Sequence, residues 1–400
     1  MVPPMDERSF RVMSTLLATA CFLSMAALRV CDTLISVLSV TFSSSLEDTS
    51  VTIYAYTIAY GVAQLVYGLI SDRYGKARVV AWCCLVSAVG NLACALSQTL
   101  TALIMFRILT GASTAGIFAL SMAWIGDNVD FRSRQVILAR LVAAGVMGML
   151  AGQWLSGLIA DYLNWRYAFM ALTLPFFVCG VLLRARAKYS ESNDGLEQEG
   201  GYRRLLKVLW TPLVLWTLLF ALVEGALGYG ALAFVPNYLQ HRFSLSLSTA
   251  GGIAASYAVG GYIYTKLVPI ILKRMSAAGL ARLGAVSLLV GYNGIALTGN
   301  PWVAGVFCAL SGFGFYCLHN TLQTHASQMV TEYRGLALSA FACALFIGQS
   351  VGVSIAALIY SPSRDAVIYN ISGIGLLLLG LLIGTLLRFR ERIQGAPVAP

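Results

Sequence analysis

The sequence predicts an all-α polytopic membrane protein, with twelve transmembrane helices arranged in two pseudo-symmetric six-helix bundles. Three observations lead to this fold class. Hydrophobic residues make up 58% of the 400-residue chain and charged residues only 11%, whereas a soluble domain carries about 25% charged residues. Apolar stretches of the length that a helical span needs, about 20 residues, recur along the whole chain. Lys and Arg cluster in alternate loops between these stretches, as a fixed orientation in a membrane requires.

Twelve apolar segments follow one another, six on each side of a single long polar stretch. They cover residues 12–40, 50–70, 78–97, 101–124, 138–160, 166–183, 212–239, 249–272, 279–298, 302–328, 335–358 and 366–387. The polar stretch contains the run Ser190-Glu-Ser-Asn-Asp-Gly, which is too polar to enter lipid and is typical of a flexible linker. The expected organisation is an N-terminal bundle at 1–188, a cytoplasmic linker at 189–208 and a C-terminal bundle at 209–400.

The basic residues predict the orientation. With the N-terminus in the cytoplasm, 21 of the 27 Lys and Arg residues lie in inside segments, three lie outside and three lie within spans. Because cytoplasmic loops carry the excess of Lys and Arg, this split predicts a multi-pass protein of the cytoplasmic (inner) membrane with both termini cytoplasmic. The net charge of +10 is then a consequence of topology, and the scattered basic clusters predict no nucleic-acid partner.

Missing motifs argue against several function classes. The nine cysteines lie in apolar stretches and never as Cys-x-x-Cys, and the three histidines form no His-Glu-x-x-His, so neither a disulfide framework nor a metal site is expected. Gly75-Lys76 is followed by Ala77 rather than Ser or Thr, so the chain lacks a Walker-type phosphate loop and ATP is not the expected energy source. With no catalytic cluster visible, we expect neither an enzyme nor a cofactor.

Four ionisable residues inside the spans are the main candidates for mechanism, because such a side chain is costly in lipid and functional by default. Arg29 and Asp32 share one face of the first helix, and counting along the spans permits a pair between Asp32 and Arg107. Two interpretations are open: Asp32 takes up and releases a proton under the influence of the arginines, or the three charges neutralise one another and fix helix packing. Glu224 lies near the midplane, and is either a substrate or proton site or an interhelix hydrogen-bonding group.

A polar stripe in the second segment predicts a cavity. Tyr56, Tyr60 and Gln64 repeat at every fourth residue, and such a stripe is expected to face a cavity rather than lipid. Further polar candidates for this cavity are Gln153, Tyr257, His319, Asn320 and Gln349. Core packing is the alternative for each of them, and for His319 a proton relay stands beside a hydrogen-bonded packing function.

The loop after the second segment resembles the signature loop of the major facilitator superfamily. It reads Gly68-Leu-Ile-Ser-Asp72-Arg73-Tyr-Gly75-Lys76-Ala-Arg78. The glycine that opens it permits a close helix approach, its aspartate lies at a helix end, and its arginines anchor the cytoplasmic face. The resemblance implies the major facilitator fold and a gate on the cytoplasmic side formed by Asp72 and Arg73, supported by Gly68, Gly75, Lys76 and Arg78.

Two further segments are similar to the drug:proton antiporter-1 branch of that superfamily. Arg107-Ile-Leu-Thr-Gly111 resembles the helix-4 motif associated with proton coupling, and Arg29-Val-Cys-Asp32 resembles helix 1 of the branch. The fifth segment carries closely spaced glycines, but has Gly152-Gln153 where the antiporter motif has Gly-Pro. The resemblance implies a secondary transporter that exchanges protons for a small organic solute, monomeric in the lipid bilayer and working by efflux.

Other functions remain open on the same fold. Proton-coupled or facilitated uptake of a nutrient or a siderophore is the alternative within the transporter class. A non-transporting receptor or a lipid scramblase belongs to a different class, but a receptor would be expected to lose the gating loop or to add a soluble domain, and neither is seen.

Overall fold

The computed structural model describes residues 7–129, 131–187, 211–329, 334–360 and 366–393. The chain forms two compact units, Met1–Leu206 and Lys207–Pro400. The described part of the first unit contains α1 (Glu7–Arg29), α2 (Ile35–Phe42), α3 (Leu46–Tyr74), α4 (Lys76–Leu96), α5 (Leu100–Asn128), α6 (Phe131–Tyr162) and α7 (Trp165–Ala187). That of the second contains α8 (Pro212–Leu232), α9 (Val235–Phe243), α10 (Leu247–Ile271), α11 (Ala277–Leu297), α12 (Pro301–Met329), α13 (Arg334–Ile359) and α14 (Val367–Ile393). The predicted linker at 189–208 lies outside the described residues.

Twelve of the described helices are long, and this confirms the fold class. Among the described residues, ten helical stretches are long and apolar enough to cross a bilayer, and one of them runs through α8 and α9 together. The two long helices outside this set are α3 and α10. The polar stripe predicted in the second segment lies on α3, and α10 carries Lys266 among serines, threonines and glycines. Large apolar side chains on outward faces remain exposed, such as Leu174 (66%) and Leu358 (65%), as expected of surfaces that face lipid.

The first and seventh predicted segments are each broken near their C-terminal ends, which their hydrophobic pattern does not predict. Residues 30–34 form turns between α1 and α2, and residues 233–234 form a turn between α8 and α9. In both places a side chain from another helix donates to a carbonyl in the last turns before the break: Arg107 Nη1 to Ala27 O at 2.8 Å, and Tyr292 Oη to Gly228 O. A side chain that enters the hydrogen-bond ladder in this way is a known cause of helix interruption.

The two units share one packing scheme. In the first unit α1 packs on α6, α3 on α5 and α4 on α7; in the second α8 packs on α13, α10 on α12 and α11 on α14. The same scheme extends to single residues. A Cβ added to Gly148 would overlap Phe22 O, and one added to Gly348 would overlap Leu222 O. Gly348 follows Gly148 by 200 residues, and Leu222 follows Phe22 by the same number. The close approach of α1 to α6 is therefore repeated by α8 and α13.

The short helices end alike in both units. Ser43 follows α2 with φ of 50°, and Ser244 follows α9 with φ of 52°. In each case the next long helix begins two residues later with a serine cap, Ser45 accepting from Asp48 N at 2.9 Å and Ser246 from Thr249 N at 3.2 Å. These caps supply acceptors for amide groups that the first turn of a helix leaves unpaired.

Every cysteine lies in the described part of the chain, and all nine are free and buried. They pack as small apolar side chains along helix interfaces, which is the ordinary behaviour of a buried thiol. Within the described ranges, no group of three or more His, Cys, Asp or Glu side chains is placed to hold a metal ion.

Candidate functional site

A buried ion pair occupies the break between α1 and α2. Arg29 Nη1 donates to Asp32 Oδ2 at 3.1 Å, and no more than 1% of either side chain is exposed. Gln153 Nε2, from α6, donates to the same oxygen at 3.2 Å. Asp32 Oδ1 accepts no hydrogen bond from the described residues. Removing one partner of a buried pair leaves a desolvated charge and costs about 3–5 kcal/mol, so Arg29 and Asp32 depend on each other.

Arg107 lies close by but does not form the direct pair with Asp32 that the sequence permitted. Its Nε donates to Thr52 O at 3.1 Å and its Nη1 to Ala27 O, and its guanidinium lies 3.9 Å from the centre of the Tyr56 ring. Helix α5 thus directs Arg107 onto backbone carbonyls and an aromatic face, partners that a planar cation suits well. Counting residues along two helices gives their depth in the membrane and not the direction of the side chains, so it could permit this pair but not predict it.

A second buried cluster lies in the second unit. Glu224 is fully buried in the middle of α8, and its Oε2 lies 3.2 Å from Nδ1 of His319 on α12. Glu224 Oε1 has no hydrogen-bond partner among the described residues. His319 keeps 14% of its side chain exposed. Both residues were candidates from the sequence, but their pairing was not predicted, because they are 95 positions apart.

Aromatic rings and one amide surround this pair. The His319 ring stacks on Phe315 at 5.3 Å between centroids and lies 5.5 Å from Phe341. Phe315 in turn contacts Tyr257, at 6.1 Å, so a predicted cavity residue lies within one ring of the pair. Gln349 is 1% exposed, and neither its Oε1 nor its Nε2 has a hydrogen-bond partner among the described residues. Its backbone nitrogen lies beside Gly225, which places Gln349 at the level of Glu224 on the neighbouring helix.

The loop between α3 and α4 carries a charge cluster at the ends of three helices. Lys76 Nζ donates to Asp127 Oδ2, joining the start of α4 to the end of α5. Partial burial raises the pKa of the Asp72 carboxyl, the Lys76 ammonium opposes that rise, and the Asp127 carboxylate adds to it. The Arg73 guanidinium lies 5.4 Å from the ring of Tyr74. The predicted gating residues Asp72 and Lys76 are therefore close together, and Asp127 is a partner that the loop motif did not indicate.

Two glycines of this loop differ in what they do. Gly75 has φ of 89° and its amide donates to Ser71 O at 2.8 Å, so its conformation between α3 and α4 is one that a side chain would strain. Gly68 was expected to permit a close helix approach. A Cβ built there meets no atom of the described residues within 4 Å, so no described helix packs closely on this position, and the role of Gly68 in the gate stays a prediction. Arg78 lies in the first turn of α4 and is half-buried.

The remaining cavity candidates are placed in their own units. Tyr60 is 1% exposed and stacks on Tyr56, with ring centroids 6.3 Å apart. Gln64 is half-buried, and its Oε1 accepts no hydrogen bond from the described residues. Asn320 donates from Nδ2 to Tyr316 O at 3.1 Å, within its own helix. On the α3 stripe, Tyr56 and Tyr60 are therefore packed on each other, whereas Gln64 keeps a side-chain oxygen without a hydrogen bond from the described residues.

Comparison with known proteins identifies the family. Residues 17–353 match the Major Facilitator Superfamily. An uncharacterized transporter of Buchnera aphidicola subsp. Schizaphis graminum is 23% identical over 331 residues, which cover 78% of this chain and 79% of that protein.

Two solved structures show the same fold. A bacterial homologue of the human lysosomal transporter Spinster has a TM-score of 0.76 at 15% identity, covering 97% of this chain and 98% of that one. A D-xylose–proton symporter has a TM-score of 0.75 at 15% identity, covering 94% and 96%. With the match across most of its length, the chain belongs to the Major Facilitator Superfamily: it is a multi-pass membrane protein of the secondary transporter class and not an enzyme.

Proposed function

We propose that this protein couples the movement of protons to the export of a small organic solute across the cytoplasmic membrane, by alternating access of two six-helix bundles. The observation that supports proton coupling is the presence of one buried carboxylate in each unit. Asp32 and Glu224 each keep one oxygen without a hydrogen-bond donor among the described residues, so each has room for a proton. Ionisable groups held this way inside membrane spans are typical of proton relays.

The proposed direction is outward. In its support, the Arg29–Asp32 segment, Arg107 and the glycines of α6 resemble the drug:proton antiporter-1 branch. In this proposal the protein acts as a monomer, with both termini in the cytoplasm. The substrate is a weakly polar or amphipathic molecule, because the candidate cavity residues are aromatic or amide-bearing and supply few charges. They are Tyr60, Gln64, Gln153, Tyr257, His319, Asn320 and Gln349.

The cytoplasmic gate is assigned to the loop between α3 and α4. Asp72 lies near Lys76, which is already paired with Asp127. In the proposed cycle this cluster joins the ends of α3, α4 and α5 so that they move as one body when the gate opens. Gly75 holds the turn between them, and Arg73 completes the charged surface.

Uptake is the alternative, and one residue favours it. Gln153 stands where the antiporter motif has a proline, and its side chain is directed onto Asp32. This proline is part of the motif by which the exporters are recognised, and the present chain lacks it. Uptake of a nutrient or a siderophore, driven by protons or by the solute gradient alone, is therefore the second candidate.

The test is a transport assay in inverted membrane vesicles, screened across drugs, sugars and siderophores with and without a proton gradient. In inverted vesicles an exporter accumulates its substrate when the lumen is acidified, and an ionophore abolishes the accumulation. Substrate movement that is unchanged by the ionophore would refute proton coupling. Gradient-driven accumulation in right-side-out vesicles instead would establish uptake.

A further inference from the structure

The two buried clusters differ in the charge that an added proton would create. Arg29 and Arg107 keep their charges at any physiological pH, because a guanidinium is effectively always protonated. With Asp32 ionised, the cluster of the first unit therefore carries one net positive charge. Protonating Asp32 would break its ion pair with Arg29 and add one positive charge to a cluster whose two arginines are at most 1% exposed. Proton uptake there increases the buried charge.

The second cluster behaves in the opposite way. Glu224 contacts an imidazole and not a guanidinium, and an imidazole, unlike a guanidinium, exists in a neutral form. Without a shared proton the Glu224–His319 pair carries one negative charge. With one proton, on either partner, the pair is neutral overall. Proton uptake there reduces the buried charge, and both protonation states avoid an isolated cation.

The exposure of the side chains also favours the second cluster. Glu224 has no exposed surface, whereas the His319 side chain keeps 14% of its own. The imidazole therefore lies between the carboxylate and the accessible side, with Nδ1 at 3.2 Å from Oε2. A proton that arrives at the ring can pass to the carboxylate along this contact. Asp32, in contrast, is enclosed by Arg29 and Gln153, and both of these side chains are buried.

No other charged group intervenes at this level among the described residues. Helices α12, α13 and α14 pack against α8. Besides His319, their ionisable side chains are Cys308, Tyr316, Cys317, His325, Arg334, Cys343, Tyr369, Arg388, Arg390, Glu391 and Arg392. Gln349 marks the level of Glu224 on α13, and Arg334 begins that helix 15 residues earlier, roughly 22 Å away at 1.5 Å per residue. The charged residues of α14 lie in its last two turns.

We infer that the Glu224–His319 pair takes up and releases the coupling proton, that this proton is held on the Glu224 carboxyl, and that Arg29 and Asp32 form a permanent ion pair. This inference rests on the proposed proton-coupled function. In each cycle one proton binds to the pair from the water on one side of the membrane and leaves to the water on the other, so the pair returns to its starting state. The break between α1 and α2 then keeps a constant charge throughout transport.

The experiment is infrared difference spectroscopy of the full-length protein in lipid, recorded while the pH is changed between about 5 and 8. A carboxyl group that takes up a proton gains a C=O stretching band that a carboxylate lacks. We expect the wild type to gain this band as the pH falls, Glu224→Gln to lack it, and Asp32→Asn to keep it at wild-type intensity. Glu47→Gln, a matched change at an exposed position in the first turn of α3, is expected to leave the band unchanged.

Three results would overturn the assignment: a band that survives in Glu224→Gln, one that disappears in Asp32→Asn, or one that is absent from the wild type. If Glu224→Gln does not fold, His319→Asn provides the second test. It removes the imidazole but keeps an amide beside the carboxyl, so it must shift the pH midpoint of the band; an unchanged midpoint overturns the inference. These spectra need no substrate. The assignment of the proton to Glu224 can therefore fail while the vesicle assay still shows proton-coupled transport, and the vesicle assay can fail while the assignment holds.

Discussion

At the residue scale, Gln153 explains how the break between α1 and α2 holds a charge. Its side chain donates to Asp32 Oδ2, and its backbone oxygen accepts from Thr33 Oγ1 at 2.9 Å. Both contacts join α6 to the turn after α1. A proline at this position has no side-chain donor, so the departure from the antiporter motif supplies the carboxylate with a second hydrogen bond.

Replacing Gln153 with Ala is expected to lower the free energy of unfolding by about 1–3 kcal/mol, because a buried carboxylate loses a donor. The measurement is denaturation of the purified protein in detergent. Gln323→Ala, at an exposed position on α12, is the matched control and should change stability by less than about 0.5 kcal/mol. Equal effects in the two variants would show that the contact with Asp32 contributes nothing.

At the scale of elements, the helix pairs α1–α6 and α8–α13 are in backbone contact. Glycines on α6 and α13 lie where any Cβ would meet a carbonyl oxygen of the facing helix, as Gly148 and Gly348 do. Small residues at such positions let membrane helices approach closely, where packing and hydrogen bonds replace the hydrophobic effect as the driving force. The length and composition of the segments do not reveal which glycines have this function.

Gly348→Ala is expected to destabilise the protein by about 1–3 kcal/mol, because the new methyl group must force α13 away from Leu222 O. Thermal unfolding of the detergent-solubilised protein measures the effect. In Gly126→Ala the new methyl group meets no described atom within 4 Å, and this control should be neutral or slightly stabilising because Ala favours a helix. A neutral Gly348→Ala would show that the helices separate without cost.

The sequence predicted the elements better than their interior details. Hydrophobic length located the long helices, and the in-span charges Asp32 and Glu224 are both buried in the structure. It did not predict the two helix breaks, because these depend on Arg107 and Tyr292 reaching carbonyls of other helices. The pairing of Glu224 with His319 was missed for the same reason: periodicity along one helix carries no information about which helix lies opposite.

At the scale of the whole molecule, the alternation of basic loops predicts an orientation that chemical labelling can test. All nine native cysteines are buried, so a membrane-impermeant maleimide should leave the wild type unlabelled in intact cells. Gly299→Cys, in the loop between α11 and α12, is expected on the outside and should react. Lys273→Cys, in the exposed turn after α10, is expected on the inside and should react only after permeabilisation. The reverse pattern would invert the topology.

The left-handed serines after α2 and α9 also have a practical consequence for handling the purified protein. An L-residue in this conformation costs roughly 1–2 kcal/mol, and glycine avoids that cost but makes the unfolded chain more flexible. Ser43→Gly and Ser244→Gly, with φ near 50° in both cases, should therefore each raise the melting temperature slightly, and together additively, because the sites lie in different units. Scanning fluorimetry of the single and double variants measures the gain, and a double variant that melts below the wild type would contradict it.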